Sequence, residues 1–228
     1  MRGLFITATD TDVGKTVVAA AIAAALRRRG ERVAAFKPVV TGTDQPADPD
    51  WPPDHVLLAA VTGARPEQVA PHRFGPAVAP HLAAALAGDA LDPAQLRAAL
   101  AARQSGADAI VVEGVGGLLT PLTPDCLVRD FARDAGLPLV IVARPGLGTI
   151  SHTLLTLEAA RAAGLVVAGV VLTPWPEQPS DMEHDNRATI ARLGAVEATT
   201  LPRLPRADPD LLAEAGERLP LDRWLATG

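Results

Sequence analysis

The 228-residue chain has one cysteine, no tyrosine and no long apolar run. The single thiol, Cys126, closes no internal disulfide and builds no cysteine cage for zinc. Aromatic residues make up 3%, too few for a platform on which single-stranded bases stack. A net charge of −5 without a basic stripe speaks against a nucleic-acid partner. The longest apolar run, residues 17–26, is mostly alanine and falls short of the ~20 residues needed to cross a bilayer. Met1 leads directly into a strand-like segment, without a basic-then-apolar signal pattern. The expectation is a cytoplasmic protein that acts on small molecules, with no membrane partner. Lysine is the scarcest charge: of 21 basic residues only two are lysines, Lys15 and Lys37. A GC-rich coding bias toward arginine and alanine is the first account of the skew to consider, but it does not explain where the two lysines sit.

What is present is a regular alternation. An apolar fraction of 48% with 21% charged residues suits one domain over residues 1–228. Short apolar runs at 3–7, 32–40, 109–112, 137–143, 165–172 and 198–201 predict buried strands. Between them, alanine- and leucine-rich stretches predict helices at 15–29, 54–61, 92–103, 127–135, 150–163, 182–193 and 209–217. Gly30 suits the left-handed stop of the first helix, and Arg27, Arg28 and Arg29 complement its dipole on a solvated face. The Pro- and Asp-rich segment 42–53 predicts a loop. Strands apolar on both faces and separated by helices imply an α/β fold. It is a P-loop NTPase-like, doubly wound, mainly parallel sheet with helices on both faces.

Chemistry enters between the first strand and the first helix. Ala8-Thr9-Asp10-Thr11-Asp12-Val13-Gly14-Lys15-Thr16 ends in the Gly-Lys-Thr of a phosphate-binding loop. Backbone N–H groups at a helix start can wrap a phosphate, and the helix dipole favours its charge. Gly14 allows close approach, Lys15 can reach the β- and γ-phosphates, and the Thr16 hydroxyl can ligate Mg²⁺. The usual pattern has Gly where this chain has Ala8, which is tolerable at negative φ. Glu113 ends an apolar strand before a Gly-rich turn, at the carboxyl edge where doubly wound sheets bind ligands, so it can serve Mg²⁺. Lys37 ends the second strand at the same edge, or is an exposed strand end. Asp54 opens a helix and suits either an N-cap or the metal; Asp48 and Asp50 are alternatives for the metal.

Five segments together resemble the dethiobiotin synthetase family: residues 7–16, Lys37-Pro38-Val39, Ala79-Pro80-His81, Val112-Glu113-Gly114-Val115-Gly116-Gly117 and Leu147-Gly148-Thr149-Ile150-Ser151-His152. The resemblance runs from residue 4 to about residue 205. It implies a cyclo-ligase of biotin biosynthesis. Such an enzyme carboxylates 7,8-diaminopelargonic acid with CO₂ and closes a ureido ring through a carbamic–phosphoric mixed anhydride. ATP or another nucleoside triphosphate is the co-substrate and Mg²⁺ the cofactor. By resemblance, Lys37 and Lys15 are catalytic, Thr16, Asp54 and Glu113 hold the metal, and Lys37 and Thr41 meet the substrate. The nucleotide falls to Asp12, Val13, Gly14, Lys15, Thr16, Val17, Asp54, Glu113, Gly114, Val115, Gly116, Thr173, Pro174, Pro202, Arg203 and Leu204. The family is a homodimer with substrate near the interface. Gly148, Thr149 and Ser151 match a segment that reaches the neighbour's substrate carboxylate, with Ser151 where the family usually has Asn. Thr173 replaces an Asn that reads the adenine edge, and it lacks the paired donor and acceptor of an amide. Relaxed nucleotide selectivity is the expected result.

Two other classes share the fold. Partitioning and cell-division ATPases act by binding partners, but usually carry a second lysine early in the loop, where this chain has Thr9 to Asp12. Synthetases of the cobyrinic acid type carry a further glutaminase domain with a nucleophilic cysteine, and Cys126 has no such context.

Overall fold

In the computed structural model, which describes residues 2–46 and 48–226, the elements follow the predicted alternation. The first half contains β1 (Gly3–Ala8), α1 (Lys15–Arg28), β2 (Val33–Phe36), β3 (Val39–Thr41), α2 (Asp54–Thr62), α3 (Pro66–Val69), β4 (His72–Phe74), α4 (Pro80–Leu86), α5 (Pro93–Gln104) and β5 (Ala109–Glu113). The second half contains β6 (Pro121–Thr123), β7 (Cys126–Leu127), α6 (Val128–Ala135), β8 (Leu139–Ala143), α7 (Thr149–Ala162), β9 (Val167–Trp175), α8 (Asp181–Gly194), β10 (Ala198–Pro202), α9 (Pro209–Glu217) and α10 (Leu221–Leu225).

Six strands form one parallel sheet in the order β10-β9-β8-β1-β5-β2. The alternation of a pleated strand divides β1 between two cores. Leu4, Ile6 and Ala8 join α1, α2, α9 and α10 on one face, while Phe5 joins α5 and α6 on the other. Val111 and Val112 of β5 divide the same way. Every strand residue of β1 and β5 is buried, as a sheet covered on both faces requires.

The chain leaves β1 for β2 on one side and later passes to β8, β9 and β10 on the other. The carboxyl end of β1 therefore stands at a topological switch point, where such sheets open a crevice, and that of β5 lies beside it. Alanines along α1 let a neighbouring helix come close. A Cβ added at Gly216 of α9 would lie 2.1 Å from the Ala21 carbonyl oxygen.

The predicted strand over 32–40 is two strands. Val33–Phe36 pairs with β5, while Val39–Thr41 turns away and pairs with β4. Pro38 has no N–H for a ladder, and the Lys37 N–H donates to Val69 O at 2.9 Å instead. The break swings Lys37 off the sheet edge. Helix α6 starts after the short antiparallel pair β6–β7, which holds the buried Cys126. The three arginines ending α1 are not simply solvated. Arg28 pairs with Asp210 and Glu217, Arg29 pairs with Asp222, and the Arg27 guanidinium donates to Val61 O.

Candidate active site

The loop between β1 and α1 turns on two left-handed residues, Asp12 at φ 55° and Gly14 at φ 93°. Aspartate is among the few non-glycine residues that adopt this conformation readily. Ala8 is a buried β1 residue and is not among the described positive-φ positions, so the missing glycine carries no backbone penalty. Lys15 is buried and its Nζ donates to Asp10 O at 3.0 Å. The ammonium thus folds back over the loop. Thr16 Oγ1 donates to Glu113 Oε1 at 2.9 Å.

Three strand ends converge here. Lys37, just past β2, donates from Nζ to Glu113 Oε1 at 2.6 Å and to Asp54 Oδ2. Lys37 is 3% exposed and Glu113 0%. Burial alone would depress the Lys37 ammonium, but the Asp54 and Glu113 carboxylates outweigh it and hold the pKa above its ordinary value. Burial pushes Glu113 up, against the pull of Lys37. Burial acts the same way on Asp54, but there Lys37 prevails and the pKa falls. Lys15 is lowered, first by burial and then by the Lys37 charge beside it. The cluster sets two buried ammonium groups, Lys15 and Lys37, beside the carboxyl groups of Asp54 and Glu113.

Asp54 is the first residue of α2, behind Pro53 at the cap position. Its carboxylate turns to Lys37 rather than to the helix backbone. Asp48 accepts the Asp50 and Trp51 N–H groups at 2.8 and 3.2 Å, so it shapes the loop. Of the three candidates, Asp54 is the one that joins the cluster.

Two cavities open at this edge. The smaller, of about 290 Å³, is lined by Lys15, Thr16, Lys37 and Glu113, with Gly14 and Val17. The larger, of about 1160 Å³, extends past Thr41 toward His55 and Arg73. Both share Asp12, Asp54, Val115 and Gly116. Sequence reasoning missed Trp51 and Thr11, which line both cavities, and His55 and Arg73 of the larger one. Trp51 could have been noticed as the one aromatic in the Pro- and Asp-rich loop before Asp54. His55 is buried with Nδ1 unpartnered, and burial followed by the Arg73 charge lowers its pKa.

Other predicted residues lie apart from these cavities. Val13 is buried in the core behind the loop. Gly114 backs onto Val128 and Phe5, where a Cβ would meet Val128 Cγ1 at 3.0 Å. Thr173 is 2% exposed, and its Cγ2 lies 2.9 Å from where a Gly14 Cβ would stand, so it flanks the loop. Thr173-Pro174 is a cis peptide at the end of β9. Pro202, Arg203 and Leu204 follow along the β10 end, with the Arg203 N–H donating to Trp175 O. Gly148, Thr149 and Ser151 open α7, outside both cavities of their own chain. The Thr149 N–H is spent on Gly146 O at 3.3 Å, and its hydroxyl faces Thr153.

The donor set suits Mg²⁺. Thr16 Oγ1, Asp54 and Glu113 offer hard oxygens, and Glu113 Oε2 is buried without a hydrogen-bond partner. Mg²⁺ is typically held by one or two carboxylates together with phosphate and water. Accordingly, no group of three His, Cys, Asp or Glu side chains forms a metal cage among the described residues. No helix among them is long and apolar enough to cross a membrane.

Residues 2–210 match the AAA domain family. The solved structures most like this one include a ParA family ATPase from Chlorobium tepidum TLS. It has TM-score 0.59 and 12% identity, over 96% of this chain and 99% of that one. Another is the MinC:MinD cell division complex of Aquifex aeolicus, with TM-score 0.56 and 14% identity, over 99% and 92%. At such identities the likeness is one of fold. Curated relatives share far more sequence. An ATP-dependent dethiobiotin synthetase of Bacillus thuringiensis (strain Al Hakam) is 38% identical over 196 residues, 86% of this chain and 81% of that protein. A second, from Bacillus cereus (strain ATCC 14579), is 39% identical over 198 residues with the same coverage. By this similarity, over 86% of its length, the chain belongs to the ATP-dependent dethiobiotin synthetase family.

Proposed function

We propose that the chain is an ATP-dependent ligase that makes dethiobiotin from 7,8-diaminopelargonic acid, CO₂ and a nucleoside triphosphate. One amine takes up CO₂ and loses a proton, giving a carbamate. A carbamate oxygen attacks the γ-phosphorus, and the nucleoside diphosphate leaves. The second amine then attacks the carbamoyl carbon, the ring closes and phosphate leaves. The phosphoryl-transfer step brings two anions together and the ring closure expels one, so positioning and fixed positive charge carry the catalysis.

The observation that carries this reading is the Lys15–Lys37–Asp54–Glu113 cluster at the switch point, with a large cavity beside it. Lys15 serves the triphosphate from within the loop. Lys37 lies between the loop and Thr41, where the carbamate and the γ-phosphate must meet. Its charge offsets their repulsion and stabilises the transferring group. Thr16, Asp54 and Glu113 would hold Mg²⁺, which when bound neutralises the β- and γ-phosphate oxygens. The diamine end of the substrate fits beside Lys37, and the hexanoic acid tail extends along the larger cavity.

A homodimer completes the reading. Leu147 is 96% exposed and Leu155 62% exposed on the α7 side, an apolar surface suited to a second copy. The α7 start would then offer its dipole to the partner's substrate carboxylate, through the N–H groups of Ile150 and Ser151. The co-substrates place the enzyme in the cytoplasm. The test is incubation with the diamine acid, bicarbonate, Mg²⁺ and ATP. Dethiobiotin with one phosphate released per ring is the expected result, and no product with ATP, CTP or GTP refutes the assignment.

A further inference from the structure

Outside the cluster, one cation touches the phosphate loop from another strand. Arg144 follows β8, the neighbour of β1 in the sheet. Its Nη2 donates to Thr11 O at 2.9 Å, and its Nη1 lies 3.7 Å from Asp10 Oδ2. Asp10 Oδ1 in turn accepts the Thr11 N–H at 2.7 Å. The backbone of Arg144 is itself anchored. Ala143 before it is a buried strand residue, and Asn186 of α8 donates to Pro145 O at 2.8 Å and Gly146 O at 3.3 Å behind it.

We infer that Arg144 is a positioning residue for nucleotide binding, because it sets the orientation of the Thr11–Asp12 peptide. A trans peptide is planar, so its C=O and N–H point in opposite directions. Holding Thr11 O outward on the guanidinium turns the Asp12 N–H inward, toward the cavity that Thr11 and Asp12 line. The neighbouring carbonyl, Asp10 O, is held by Lys15. Two cations therefore fix two successive carbonyls; the Thr11 N–H is taken by Asp10 Oδ1, and the Asp12 N–H is presented to an anion before one arrives. The need arises in the loop itself. Asp12 stands at φ 55°, a left-handed conformation that aspartate tolerates but that the surrounding contacts must hold. The side chain of Arg144 is 54% exposed, so its ion pair with Asp10 adds little to stability. Its effect falls on loop preorganisation, and hence on nucleotide affinity.

This role rests on the triphosphate-binding reading above, and its test is separable from dethiobiotin formation. Arg144→Met keeps the aliphatic stem and removes the fork. Loss of a charge-assisted hydrogen bond that preorganises the loop should weaken MgATP binding about tenfold, in equilibrium dialysis and in KM for ATP. KM for the diamine acid, kcat and the Tm of the nucleotide-free protein should stay near the parent values, and Arg144→Lys should recover part of the affinity. Unchanged ATP affinity overturns the inference, as does an equal rise in both KM values or a matching loss of nucleotide-free Tm. If Arg144→Met does not fold, the same dialysis on Arg144→Gln decides. A parent protein that binds ATP but makes no dethiobiotin defeats the functional reading and leaves the Arg144 test intact.

Discussion

Replacing Lys37 with glutamine tests the centre of the site in two ways at once. Its Nζ lies 2.6 Å from Glu113 Oε1, and the two side chains are 4% and 0% exposed. Removing one partner of a buried ion pair costs about 3–5 kcal/mol, because the other charge is left uncompensated. Two features moderate the loss here. The Asp54 side chain is 42% exposed and re-solvates. Glu113, whose pKa burial already raises, can take up a proton. A value near the lower end, about 3 kcal/mol, corresponds to a Tm fall of about 6–12 °C for a chain of this size. Calorimetry without nucleotide or metal should show this fall. Millimolar Mg²⁺ should raise Tm more in Lys37→Gln than in the parent, because the carboxylates are then free for a cation. Turnover with saturating Mg²⁺ and ATP should drop about 10²-fold or more, as expected for removing charge from a phosphoryl-transfer transition state. Near-normal turnover at any Tm would remove Lys37 from the chemistry. An unchanged Tm would mean that the pair is not the buried contact described.

The remaining expectations are simpler. Thr173 stands against Gly14 with no paired amide to offer a base, so kcat/KM for ATP, CTP and GTP should be of the same order; a hundredfold preference for ATP would contradict this. Gly216→Ala, which in an open helix would stabilise, places a Cβ 2.1 Å from Ala21 O. It should cost about 1–3 kcal/mol in urea unfolding by forcing α9 off α1. Asp108 accepts hydrogen bonds from the Arg32 side chain and from its backbone N–H, which lower the carboxyl from 3.8 to about 2. A depressed folded-state pKa gives stability that is present above 3.8 and lost as pH falls toward 2. Asp108→Asn should flatten the acid limb of a Tm-versus-pH curve in that window, and an unaltered limb would discount the pair.

The main sheet was legible because its strands are buried on both faces and so appear as unbroken apolar runs of Val, Ile, Leu and Ala. The phosphate loop was legible because its chemistry needs particular residues at consecutive positions. Legibility ended where structure depends on distant partners. Nothing local to Lys37-Pro38 shows that Val39–Thr41 abandons the sheet to pair with His72–Phe74; only the missing N–H of Pro38 hints at it. The choice among Asp48, Asp50 and Asp54 was open for the same reason. All three carboxylates lie in one short stretch, and the selection is made by Lys37, 17 positions before Asp54 in the chain. Arg144 carried no signal at all, being one of many arginines whose contact with Thr11 spans 133 positions.

The division of labour among the basic residues follows from the same geometry. At Lys37 the ammonium fits between two carboxylates in a site that is 4% exposed. It must also give up those contacts when phosphate and metal compete for them. A compact, flexible point charge can redirect its three donors in that space; a planar guanidinium, with its donors in a rigid fork, cannot. At Arg144 the demand is reversed. The partners are a fixed carbonyl and a nearby carboxylate at the rim, and a fork that spans both suits them. On the proposed function, the chain has lysine where charge moves during the reaction, and arginine where the charge braces the loop.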